Sequence, residues 1–271
     1  MKQNALFDSP GPRGLRLIRI ATLIWVLCLL LIGAYVVWRL DARGQLAPQK
    51  WLPFVTNIKL LKFLGDGLLQ TLSASLVALV LSLLAGVVLA MGRALGLAWL
   101  SLVIGAYVQV FRGIPVLLNM LFLFLGVPLV LHLNISAYTV VVIALLLYNS
   151  AVIAEIMRAG IAALPAGQRS ASLALGFSEF QTLRHVLVPQ AIRLMIPALI
   201  SQFIIIIKDS ALGFIVGFHE MTAKAQNAAL QLGNPLQTYI VIGVVYVAIN
   251  LAVARMSHWI AHRKTHAASG H

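Results

Sequence analysis

From residue 113 to residue 154 the chain runs for 42 positions without an aspartate, glutamate, lysine or arginine. A helix crossing a hydrocarbon core of about 30 Å needs about 20 apolar residues, so this stretch is long enough to cross twice. Apolar runs of similar character recur at residues 20–38, 67–91, 186–207 and 238–254, which brings the expected count to six spans. Composition says the same: the chain is 61% hydrophobic and 10% charged, with a mean hydropathy of +0.96. A soluble domain carries roughly 25% charged residues, and a water-soluble globule of this size could not hide so much apolar surface. The sequence therefore reads as an all-α, polytopic membrane protein.

Lys and Arg number 20 against 7 Asp and Glu, a net charge of +13. On a soluble chain that excess would point to nucleic acid. Here the bases flank the apolar runs, as the positive-inside rule requires, and no nucleic-acid partner is expected. With six spans and both termini inside, 13 of the basic residues fall on the inner side and 7 on the outer. The termini are thus expected in the cytoplasm, and residues 158–193 form the largest cytoplasmic loop. The first run follows Lys2, Arg13, Arg16 and Arg19, and its nineteen residues exceed the core of a signal peptide, about 7–15 residues. No small-x-small cleavage site follows it, so it reads as a retained anchor. The single cysteine, Cys28, can form no internal disulfide.

Residues 94–111 are uncharged and would score as a seventh span by hydropathy alone. They end in Arg112-Gly113-Ile114-Pro115, a charge followed by a breaker. The expectation is a shallow interfacial helix leading into the true span. Within residues 113–154 the break between two spans is expected from Val127-Pro128 to Asn134-Ile135-Ser136. No GxxxxGK[ST], HExxH, CxxC or GxSxG occurs, so neither nucleotide nor metal has a recognisable cradle, and no cofactor is expected on this chain. Asn134-Ile135-Ser136 reads as a chance sequon, and Gly213-x3-Gly217 as a weak small-xxx-small signal. His258, His262 and His266 share a helix face, but Arg263 and Lys264 beside them would repel a cation; they read as a basic helix end.

The stretch from Leu164-Pro165 through Gly176 to Pro189 reads as helix, glycine stop, helix, proline between two spans, longer than a simple connector needs. Here the sequence resembles the EAA loop of ABC-importer permease subunits, EAA-x3-G-x9-[IV]-x-[LV]-P. Ser170-Ala171-Ser172, Gly176, Val186 and Val188-Pro189 keep that register, with Gly167 ahead of them. The family usually has Glu at Ser170 and Ala at Ser172, which bears on the polarity of the contact. Phe111-Arg112-Gly113-Ile114-Pro115, with Gln109 before it, looks like the FRGTP element of polar-amino-acid permeases. The run Tyr148-Asn149-Ser150-Ala151-Val152-Ile153-Ala154-Glu155-Ile156-Met157-Arg158-Ala159-Gly160-Ile161 and the run Lys208-Asp209-Ser210-Ala211-Leu212 are similar to two further motifs of that group. The resemblance spans about residues 67–255, and the extra first span with Asp41-Ala42-Arg43-Gly44-Gln45-Leu46 looks most like glutamate-type permeases.

The resemblance implies an ABC transporter type-1 (MetI-like) permease fold. Residues 1–66 would hold the N-terminus, anchor and outer loop, 67–255 the transmembrane domain with its coupling loop at 164–189, and 256–271 a basic cytoplasmic tail. It implies an inner-membrane subunit of an importer for a polar amino acid, with glutamate or aspartate the finer reading. An ATPase dimer that binds ATP and Mg would contact Gly167, Ser170, Ala171, Ser172, Gly176 and Pro189. A second permease copy or a homologue, a periplasmic or surface substrate-binding protein and the lipid bilayer would be the other partners.

Charges inside apolar sequence are costly and usually face a cavity or a partner. Glu155 and Arg158, three apart on one helix, either pair internally or line a path. Lys208 and Asp209 offer a cation and an anion to a zwitterionic amino acid, or else hold a helix end; Gln202 is a polar candidate on the same element. Arg112 either presents charge at a broken helix start or snorkels to headgroups. The rival function is an ion-coupled secondary amino acid transporter, but no internal repeat supports it.

Overall fold

The structure is a computed structural model and describes residues 11–94 and 96–266. The side chains of His258, His262 and His266, and of the tail from 256 onward, lie outside the described residues. The chain divides into two units, Met1–Thr56 and Asn57–His271. The first is dominated by α1 (Pro12–Ala42), which opens on a proline whose missing N–H costs nothing at a helix start. None of its side chains is buried, as befits a helix apolar all round.

The second unit contains α2 (Ile58–Ala94), α3 (Ala98–Gly113), α4 (Val116–Leu131), α5 (Ala137–Ala162), α6 (Ala166–Ala174), α7 (Val188–Ser210), α8 (Met221–Leu232) and α9 (Pro235–His266). The central helix is α5, and α2 packs along it; of the small buried residues of α2, Ala74, Ala78, Gly86 and Ala90 meet α5, while Gly67, Thr71 and Ser75 meet Met221, Glu220 and Ser210. Spacings of three and four put these on one face. At Gly86 the helices nearly touch: an added Cβ would lie 2.6 Å from Ile153 Cγ2 and 3.2 Å from the Ser150 carbonyl. Apolar packing of α2, α4, α5 and α7 around Met120, Val140, Leu145 and Ile206 completes the main core.

Five helices of the described chain are long and apolar enough to cross a bilayer, or six if the bent pair α3–α4 counts as one broken span. The pair meets at 101°. Ile114 is extended, at φ −90° and ψ 124°, because a following proline disfavours the helical region. The breaker therefore acts where the sequence puts it, although α3 starts at Ala98 and not at residue 94.

The second break differs from expectation. Pro128 lies inside α4, just after a π-helical turn over Phe122–Gly126 that accommodates its missing N–H, and the helix continues to Leu131. The chain turns at His132, in the left-handed region at φ 55°, and Ser136 caps α5 by accepting from the Thr139 N–H at 3.1 Å. The sequon serine is thus a helix cap. Gly213 and Gly217 also act separately: the first gives room to Val141 and Phe218, and the second ends a 3₁₀ turn at φ 79°.

Candidate functional site

The loop between α5 and α7 is a folded knuckle. Pro165 opens α6, and Gly176 closes it at φ 87°, a conformation that costs any residue with a Cβ. The Phe177 N–H reaches the Ser172 carbonyl at 3.2 Å and the Gly176 N–H reaches the Leu173 carbonyl at 3.0 Å, the paired bonds of a Schellman cap. Ser178 and Gln181 then form a reciprocal capping box that starts the next turn. A π-helical turn over Thr182–Leu187 feeds into α7, with Pro189 in its first turn.

Three side-chain contacts lock the two arms together. The Arg169 guanidinium donates twice to Glu179, at 2.8 and 3.2 Å. The buried hydroxyls of Ser172 and Thr182 meet at 2.9 Å. Gln190 donates to Gln168 at 3.3 Å. The outer face carries Leu173, Leu175 and Phe177, with Leu175 80% exposed. Gly167, Ser170 and Ala171 are exposed too, and the Ser170 hydroxyl donates to the Ala166 carbonyl at 3.4 Å. Of the expected contact residues, Ser172 alone is buried, turned inward to Thr182.

The intramembrane candidates do not converge. Glu155 accepts from Arg158 Nε at 2.9 Å and also faces Arg93 Nη1 at 3.8 Å, a partner on α2 that the sequence does not single out. Arg112, exposed at the end of α3, adds its charge to the same surroundings. Gln202 is buried and donates from Nε2 to Asn149 Oδ1, while Asn149 Nδ2 donates to the Leu145 carbonyl at 2.7 Å. This bond joins α7 to α5. Higher on α7, Lys208 is exposed and Asp209 half-buried, without an ion pair between them. Beside them Ser210 and Ser75 share a hydroxyl contact of 3.1 Å between α7 and α2.

Glu220, between the spans, was not legible in the sequence. It is fully buried and caps α8, accepting from the N–H groups of Thr222 at 2.7 Å and Ala223 at 2.8 Å. Thr71 of α2 and Tyr246 of α9 also donate to it, at 3.3 and 3.2 Å. Burial pushes its carboxyl above the ordinary glutamate value, and the two backbone N–H groups oppose that shift. Caps are normally Ser, Thr, Asp or Asn, so a Glu in this place gives no sequence signal.

Fold and knuckle define the class: a multi-span helical membrane protein with an ordered helix-turn-helix between two of its spans. The family described as binding-protein-dependent transport system inner membrane component matches residues 78–266, and the chain belongs to that family. It is 36% identical over 223 residues to the glutamate transport system permease protein GluD of Corynebacterium glutamicum, covering 80% of this chain and 81% of that one. It is 31% identical over 210 residues to the glutamate/aspartate import permease protein GltK of Escherichia coli, covering 75% and 94%. With the arginine transport system permease protein ArtQ of Bacillus subtilis it shares 30% identity over 200 residues, covering 74% and 91%. Among solved structures, an amino acid ABC transporter crystallised with histidines superposes with a TM-score of 0.72 at 31% identity, over 78% of this chain and 98% of that one. The methionine transporter MetNI, at 19% identity and a TM-score of 0.61 over 75% and 98%, agrees in fold.

Proposed function

We propose that the chain is the permease subunit of an ATP-driven importer of polar amino acids in the inner membrane, with an acidic amino acid the finer reading. It pairs with a second permease copy or a homologue. A separate ATPase dimer, which binds ATP and Mg, grips the knuckle from the cytoplasm, and a binding protein delivers substrate at the opposite face. Both termini lie in the cytoplasm, and α3 runs shallowly before α4 enters the core.

The observation that carries this reading is the knuckle's construction. Its arms are bound to each other by an ion pair and a buried hydroxyl contact, while its apolar side chains face outward. A connector without a partner gains nothing from exposing Leu175. A lever docked on another protein needs internal stiffness and an apolar tip. Gln202 and, further along α7, the adjacent Lys208 and Asp209 are the candidates for the substrate path. Glu155 and Arg112 belong instead to a charge cluster at the end of the bundle that carries the knuckle.

The test is Ala171→Asp or Gly176→Asp in the full complex. Membrane insertion stays intact and co-purification of the ATPase is lost; normal ATPase binding and uptake in both variants would refute the coupling role. Asp209→Asn lowers uptake without loss of assembly, and unchanged uptake kinetics remove it from the path.

A further inference from the structure

Transport by the α7 path leaves one charged cluster unused, at the end of the bundle that carries the knuckle. A cavity of about 120 Å³ opens there, with Leu89, Ile104, Val108 and Ile161 in its apolar wall and Arg93, Glu155 and Arg158 as its charged lining. Glu155 ties Arg158 at 2.9 Å and Arg93 at 3.8 Å, and Arg112 acts on it from α3. Three positive charges against one negative leave a surplus of two. The carboxylate therefore gathers the arginines without neutralising them. Arg93 and Arg158 are 37% and 49% exposed, so their heads reach the surface while the cavity behind stays apolar. On its other side Arg93 borders a hollow of about 410 Å³ along α3, floored by Ala98, Ser101, Gly105 and Ala106.

We propose that this cluster binds the phosphate headgroup of an anionic phospholipid, with the first carbons of an acyl chain against the adjoining apolar space. Guanidinium groups match phosphate oxygens in a bidentate way, and Glu155 occupies two of the donors of Arg158, leaving others free. Basic pockets between membrane helices on the cytoplasmic side suit such headgroups. An acidic protein segment would match the charge, but it has no use for an apolar cavity that begins where the arginines end. The inference rests on the proposed cytoplasmic placing of the knuckle end of the bundle, not on the knuckle binding an ATPase.

The experiment uses the full complex, reconstituted in vesicles of equal dioleoyl phosphatidylglycerol and dioleoyl phosphatidylcholine, then extracted and read by native mass spectrometry. Phosphatidylglycerol is retained in excess over phosphatidylcholine. At about fivefold per arginine, Arg93→Gln with Arg158→Gln lowers retained phosphatidylglycerol about 25-fold. Arg39→Gln with Arg43→Gln, both exposed at the end of α1 in the other unit of the chain, removes the same charge elsewhere and leaves retention unchanged. If the first double variant melts early, Arg93→Lys with Arg158→Lys preserves charge and keeps phosphatidylglycerol above phosphatidylcholine. Equal retention of the two lipids, an equal fall in both Gln doubles, loss of the preference in the Lys double, or displacement by millimolar inorganic phosphate would each overturn the proposal.

Discussion

Thr182→Val tests whether the knuckle's rigidity comes from within. Valine keeps the shape of threonine but removes the hydroxyl, so the buried Ser172 Oγ loses its partner at 2.9 Å. A buried polar group left unsatisfied costs about 1–3 kcal/mol. Ser172→Ala removes the other half of the same contact, and either remaining hydroxyl recovers part of the loss by turning to the carbonyl four residues back, so each single variant falls toward the lower part of that range. Removing both partners restores an apolar contact of nearly the same shape, so the double variant loses less than the sum of the two. In local terms 1–3 kcal/mol multiplies the open population of the knuckle by about 5–150. Hydrogen exchange at the amides of Gly176 and Phe177, which carry the Schellman bonds to Leu173 and Ser172, reads that population directly. Thr182→Val should speed their exchange by that factor, with the double variant between it and the wild type. Unchanged exchange in Thr182→Val, or faster exchange in the double than in either single variant, refutes the reasoning.

Other perturbations follow from single contacts. Gly86→Ala drives a methyl to 2.6 Å from Ile153 Cγ2 and should cost about 1–3 kcal/mol, measured as a lower melting temperature in detergent; Gly105→Ala, inside α3 with nothing within 4 Å, should leave melting unchanged or raise it. Gly176→Ala should cost about 1–2 kcal/mol at its positive φ and reduce ATP-driven uptake, while Gly176→Asn, which tolerates that region better, falls between. Because the folded-state carboxyl of Glu220 titrates above its unfolded value, the stability it contributes is present below the unfolded value and is lost as pH rises through the folded one. The melting temperature of Glu220→Gln relative to the wild type should therefore climb over that window; a flat difference would show that Glu220 does not titrate there.

The knuckle was readable because glycine and proline act locally: Pro165, Gly176 and Pro189 each govern the backbone within a residue or two of themselves. The same locality let Ile114-Pro115 announce the bend between α3 and α4. Pro128 misled for the complementary reason. A π-helical turn absorbed it, and no residue pattern signals that turn in advance. The polar contacts were hidden more deeply. Gln202 was visible as a polar residue in an apolar run, but its bond to Asn149 joins residues 53 positions apart. Glu220 and Thr71 lie 149 positions apart. Such pairings are consequences of helix packing, and one sequence carries no direct trace of them.

The glycine and alanine seam that joins α2 to α5 (Ala74, Ala78, Gly86 and Ala90) has few rotatable groups to yield under load. Backbone set so near to backbone leaves no cushion, and the two helices behave as one welded beam. Whatever motion the protein undergoes must then be taken up elsewhere, where longer side chains can change partners, and the polar contacts of α7 with its neighbours are the joints on which that beam would turn.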